Sequence, residues 1–304
     1  MPYFLQFLVI CIMVVLGCAK VTLQGFASRA HIRSTADSFL FNAQLFLVIS
    51  VVMAILFPLG LLSPAGIAMA AMTAVGTVAF QAFYALALQT GPVSLTVLFV
   101  NFALFFVTAF SVITYREPVY LTQLLGIVFL LVSMLLGVKK SSDEKGISGK
   151  WIVYMVIVIL ANSASSIFMK IFTKEMSAEF VNSQNSFMSL SYLIASILAF
   201  ATYFLIAHTG KRKGNTYGFF NRHVLLYVLL IGVILGIYQK FYLLGMEKID
   251  GGFMFPTYSG LQSLGMTVIG ILLFRDKLSK RQIFGVVTGI SCVVLMNVRW
   301  GLLF

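Results

Sequence analysis

The chain has 304 residues, 60% of them hydrophobic and only 10% charged, with a mean hydropathy of +1.01. A water-soluble globule keeps its apolar fraction near half and its charged fraction near a quarter, so composition excludes that class and points to a polytopic membrane protein. The formal net charge of +12 would suggest nucleic acid in a soluble chain, but here the basic residues lie mostly in short runs between apolar segments. That pattern orients helices in a bilayer, so the expected partners are lipid and a small molecule, with no nucleic acid.

Crossing about 30 Å of hydrocarbon takes roughly 20 apolar residues at 1.5 Å each. Ten segments qualify: Tyr3 to Leu23, Phe39 to Leu59, Pro64 to Leu88, Val93 to Tyr115, Tyr120 to Val138, Trp151 to Phe172, Phe180 to Ala207, His223 to Met246, Gly252 to Phe274 and Ser279 to Val298. The predicted fold is therefore all-α and integral to the membrane, with ten transmembrane helices. Met1 to Leu16 lacks a basic start and runs directly into a full-length apolar segment, which is expected to be a first span rather than a cleaved leader. Cys11, Cys18 and Cys292 all lie inside apolar segments without metal-ligand spacing and read as small core hydrophobes; neither a metal nor a cofactor is expected.

The chain also resembles itself. Phe80-Gln81-Ala82-Phe83-Tyr84 reads against Tyr238-Gln239-Lys240-Phe241-Tyr242. Further on, Arg116-Glu117, Gln123 and Gly126 read against Arg275-Asp276, Gln282 and Gly285, and more weakly Lys20 reads against Lys170. A period of half the chain means duplication. The expected organisation is a first five-helix repeat at residues 1–138, a linker at 139–150 and a second repeat at 151–304. Five is odd, so the second copy must cross the membrane upside down, as in the inverted repeats of secondary transporters.

Outside the embedded positions, the loops joining segments 1–2, 5–6, 7–8 and 9–10 hold fourteen of the Lys and Arg residues and the opposite side four. The positive-inside rule then puts both termini outside a cell membrane. The two charged turns, each followed by Gln and Gly in a ten-span chain, resemble the EamA-type branch of the drug/metabolite transporter superfamily. That resemblance covers essentially the whole chain and implies a ten-helix inverted-repeat fold, a central cavity between the halves and alternating access for small metabolites.

An ionisable residue within a span is a functional candidate by default, because burying its charge costs about 3 kcal/mol on insertion scales. All nine carboxylates fall in turns or at helix ends, whereas Lys20, Lys170 and Lys240 lie within spans. Cations facing one cavity favour an anionic or zwitterionic substrate; the bland reading of Lys20 and Lys170 is snorkelling to the interface. Gln81 with Tyr84, and Gln239 with Tyr242, share a helix face and are expected to hydrogen-bond a ligand, with interhelical bonding as the alternative. Gly251-Gly252 and Pro256, followed by Tyr258, are expected to interrupt span nine, and Gly91-Pro92 with Asn101 span four, either as ligand sites or as plain kinks. Gly232 with Gly236, and Gly285 with Gly289, read as helix-packing positions only. Arg116-Glu117 and Arg275-Asp276, on opposite faces, could form ion pairs that alternately close each face, or be simply solvated.

Enzyme signatures are lacking: there is no His-Glu-x-x-His, Gly-x-Ser-x-Gly or phosphate-binding loop. The expected function is a non-enzymatic secondary transporter of a small zwitterionic or anionic metabolite, amino-acid-like by preference, in which a monomer suffices to build the cavity. The alternatives are a broad exporter of hydrophobic or cationic compounds and, from another class, a non-transporting scaffold or channel.

Overall fold

The computed structural model describes residues 1–32, 34–90, 100, 102–118, 120–137, 149–209, 221–274, 284–285, 287–291 and 295. In hydrocarbon every backbone N–H and C=O needs a partner within the protein, and a long apolar run meets that need as a helix. Nine helices follow among the described residues: α1 (Tyr3–His31), α2 (Thr35–Leu56), α3 (Pro64–Thr90), α4 (Ala103–Tyr115), α5 (Leu121–Gly137), α6 (Gly149–Ile171), α7 (Ser183–His208), α8 (Arg222–Lys248) and α9 (Gly251–Phe274). A π-helical turn, Phe172–Met176, continues α6. Helical residues 284, 285 and 287–291 fall inside the tenth predicted segment. Among the described residues, six helical segments are long and apolar enough to cross a membrane, and Phe106–Tyr115 and Leu121–Ser133 are shorter apolar pieces. The protein is embedded in the membrane and crosses it several times.

Local chemistry sets the ends. Ser34 and Asp37 form a reciprocal capping box at the start of α2, Ser34 N–H to Asp37 Oδ2 at 3.0 Å and Asp37 N–H to Ser34 Oγ at 3.1 Å. Asn221 accepts from the amides of His223 and Val224 at the start of α8. Because α1 continues to His31, the first connection is shorter than the expected Arg29–Asp37 loop. Span nine also departs from expectation. Helix α9 runs unbroken through Pro256, and Gly251 and Gly252 form its first turn rather than a mid-span break. The glycines serve close approach: a Cβ on Gly251 would stand 2.9 Å from Ser111 Oγ and 3.1 Å from Glu117 Oε2.

Packing joins early helices to late ones: α1 to α8 and α9, α2 to α7 and α8, α3 to α6 and α7, α4 to α6 and α9, and α5 to α9. Small residues allow these approaches, since water cannot drive association inside a bilayer. Gly232 and Gly236 of α8 lie against Val48 and Val52 of α2, as the glycine spacing predicts. Serines bridge neighbouring helices: Ser196 Oγ donates to Ala43 O at 2.8 Å, and Ser133 Oγ to Gly285 O at 2.7 Å. Large apolar side chains such as Phe4, Ile55 and Ile113 are at least three-quarters exposed, as a surface turned to lipid requires.

The α2–α3 connection docks on α7 through a reciprocal pair, Gly60 N–H to Ser186 Oγ at 2.8 Å and Ser186 Oγ–H to Gly60 O at 2.7 Å. A Cβ at Gly60 would fall 1.9 Å from the backbone oxygen of Val181. Gly60→Ala is therefore expected to cost about 1–3 kcal/mol through forced displacement, read as a lower melting temperature in detergent.

Candidate functional site

A cavity of about 200 Å³ lies between the early and late helices and is lined from α1, α2, α3, α6, α7, α8 and α9. Its depth follows from chain position. Gly17 and Lys20 lie in the second half of the 29-residue α1, Thr77 near the middle of α3, and Tyr258 about two turns into α9.

One wall is aromatic, carrying Tyr192, Tyr238, Tyr242 and Tyr258. The Gln239 amide donates to Tyr192 Oη. Tyr238 and Tyr242 stack with ring centroids 5.7 Å apart, one helical turn from each other on α8, and the Tyr258 ring lies 6.1 Å from that of Tyr238. Packing of the rings on one another holds the wall in place. The lining also includes Gln24, Thr77, Phe80 and Gln81. Among the described residues that line it, Lys20 is the one cationic side chain and none is a carboxylate.

Of the residues expected to meet a ligand, Lys20, Gln81, Gln239, Tyr242 and Tyr258 line this cavity. Tyr84 does not: it stacks on Phe80 with centroids 5.6 Å apart and packs toward Trp151 and Val158. Lys240 lies outside it too, donating to Asn185 Oδ1 at 2.7 Å, with its Nζ 5.7 Å from the centre of the Phe57 ring. Lys170 neither snorkels nor lines the cavity. It is wholly buried, and its Nζ lies 2.8 Å from Glu117 Oε1. Asn101, Arg275 and Asp276 lie outside the described residues.

The charged turn at Arg116-Glu117 differs from the expected pairing of neighbours. Arg116 adopts a left-handed conformation (φ 50°) that ends α4 and leaves it exposed, while Glu117 turns inward and is 6% exposed. Glu117 Oε2 accepts from the Gly251 amide at 2.6 Å, and Lys174 Nζ lies 3.6 Å from Oε1. One carboxylate thus meets the end of α6, the π turn and the first turn of α9. On the same face Gln184 donates to Glu247 at 2.5 Å, Asn185 Nδ2 donates to Pro58 O at 2.8 Å, and Tyr115 Oη donates to Glu175 at 2.9 Å. Phe172 and Phe187 stack fully buried at 4.0 Å behind this layer.

Sequence reasoning missed Gln24, Asn162, Ser165, Ser166, Tyr192, Tyr238 and Gln262 as lining residues. Gln24 and Gln262 follow Lys20 and Tyr258 by four residues and so share their helix faces, and Asn162 to Ser166 is a polar stretch in an apolar span. Those signals were there to be used.

Residues 149–298 match the EamA-like transporter family. Multidrug resistance protein EbrA of Bacillus licheniformis is 33% identical over 67 residues, 21% of this chain; the chain spans 64% of that relative's length. A solved crystal structure superposes with a TM-score of 0.75 over 97% of both chains at 13% identity, so the fold is shared with a protein of experimentally determined structure.

The close approach of α1 to α9 shapes the cavity, since a Cβ on Gly17 would stand 2.9 Å from Tyr258 Oη and 3.0 Å from Gln262 Nε2. Gly17→Ala is expected to displace both side chains and weaken ligand binding at least tenfold, about 1.4 kcal/mol, with a smaller effect on melting temperature; a ligand titration followed by thermal shift reads both.

Proposed function

We propose that the chain, whose residues 149–298 match the EamA-like transporter family, is a secondary transporter of the cell membrane that moves a small zwitterionic or anionic metabolite, amino-acid-like by preference, by alternating access. The observation that carries this reading is Lys20. It places an ammonium in a cavity with no carboxylate among its described lining residues, so a ligand's own negative charge supplies a partner. Gln81, Gln239, Tyr242 and Tyr258 orient the ligand, joined by Gln24, Asn162 and Tyr192. At about 200 Å³ the cavity is below the 300–1,000 Å³ of drug-sized pockets, which favours a metabolite.

The architecture behind this function is two five-helix inverted repeats, residues 1–138 and 151–304, joined by the linker at 139–150. Helix packing supports it. Raising each helix number by five turns the α1–α8 contact into α6–α3, α1–α9 into α6–α4 and α2–α8 into α7–α3, while α2–α7 and α4–α9 map onto themselves. Matching bonds shift the early register, however. Cys18 Sγ approaches Gln262 O as Ser163 Oγ approaches Ala103 O, which pairs Cys18 with Ser163 and Lys20 with Ser165 rather than with Lys170. The proposed pocket therefore carries one cation instead of a symmetric pair. The excess of Lys and Arg in the connections preceding α2, α6 and α8 supports both termini lying outside.

A second reading, a broad exporter of hydrophobic or cationic compounds, is favoured by the likeness to EbrA and by the aromatic wall of Tyr238, Tyr242 and Tyr258. A resistance screen on overexpression separates the two, and saturable counterflow in proteoliposomes excludes a scaffold or channel. A charge pair at about 4 Å is worth about 4 kcal/mol at an effective dielectric near 20. Lys20→Met is thus expected to lower counterflow of an anionic or zwitterionic substrate at least tenfold while the protein melts at or above the parent temperature. Unchanged counterflow would remove the lysine from the site.

A further inference from the structure

We propose that Glu117 is a latch: its pairing with Lys170 holds the cavity shut from the face that carries the α4–α5 turn, and breaking the pair opens that face without unfolding the protein. The inference rests on the transporter reading above but not on the identity of the substrate.

Position is the first argument. Lys170 directly follows Met169, which lines the cavity, and Gly251 begins the helix that carries Tyr258 and Gln262 into it. The carboxylate, paired with Lys170 and bonded to the Gly251 amide, therefore sits just beyond the cavity. Connectivity is the second. Glu117 belongs to the early part of the chain, whereas Lys170, Lys174 and Gly251 belong to the late part, so this cluster ties together elements that must part if the face is to open.

Chemistry is the third. A buried ion pair roughly breaks even against hydration of its two charges, and where permanence is wanted an apolar pair of like volume does as well or better. A contact that is made and broken in every cycle benefits from that balance, because the charges regain water when the face opens. The surroundings fit a switch between two discrete arrangements. Lys174 lies 3.6 Å from the same carboxylate, and the neighbouring Arg116 is exposed.

The test follows access to the cavity and needs no substrate. Thr77, which lines the cavity, becomes the reporter as Thr77→Cys in a chain whose Cys11, Cys18 and Cys292 are replaced by alanine. A membrane-impermeant maleimide is applied to either face of sealed, oriented vesicles. The double variant Glu117→Gln with Lys170→Met removes both charges together and so strands neither. It is expected to raise labelling from the Glu117 face several-fold and to lower it from the other face, while Lys170→Arg, which keeps the pair, labels like the parent. Equal labelling of the double variant and the parent overturns the latch. So does a Lys170→Arg chain as open as the double variant, or a double variant that fails to fold, which would make the pair a structural support. A reporter unreactive from both faces in every variant overturns the cavity itself, and the proposed function with it. Lost counterflow in Lys20→Met alongside unchanged labelling would sink the latch alone.

Discussion

A charge inside hydrocarbon must be answered by another charge, by polar contacts or by water, and this constraint orders the protein. The three lysines read as lying within spans, Lys20, Lys170 and Lys240, are each answered differently. Lys170 is sealed against Glu117. Lys240 reaches Asn185 and the Phe57 ring near the same face. Lys20 faces the cavity instead, with no carboxylate among the described lining residues. The first two hold helices together; the third is left to interact with whatever enters.

The aromatic wall of the cavity is held by its own contacts. Tyr238 stacks on Tyr242 and meets Tyr258, and Gln239 donates to Tyr192, so the rings are held without needing a ligand. Around them the helices meet through glycines and serines, which permit backbone approach where longer side chains would hold α1 from α9 or α2 from α8 apart. The same economy appears at Gly251, where the lack of a side chain lets a carboxylate reach a helix amide directly.

Much of the fold was legible because the bilayer leaves an apolar run little choice but a helix, and each of the nine described helices overlaps a segment read from hydropathy. Pro256 misled, since near the beginning of a helix its lost hydrogen bond no longer breaks the span. Within the site, Lys20, Gln81, Gln239, Tyr242 and Tyr258 were legible as polar groups at helical spacing. Asn162, Ser165 and Ser166 were harder to read because serines in spans commonly bond their own helix, as Ser163 and Ser191 do here. Lys170 was misplaced because its partner comes from a distant turn, and no local pattern says which way that turn folds.

The solitary cation of the cavity has an electrical consequence. Carrying one elementary charge through 100 mV is worth about 2.3 kcal/mol. In the proposed cycle an unloaded cavity reorients with the Lys20 ammonium alone, whereas with a monoanion aboard the two charges cancel. Only the unloaded step would then feel the voltage, and an interior-negative membrane would draw the vacant binding site toward the cytoplasm.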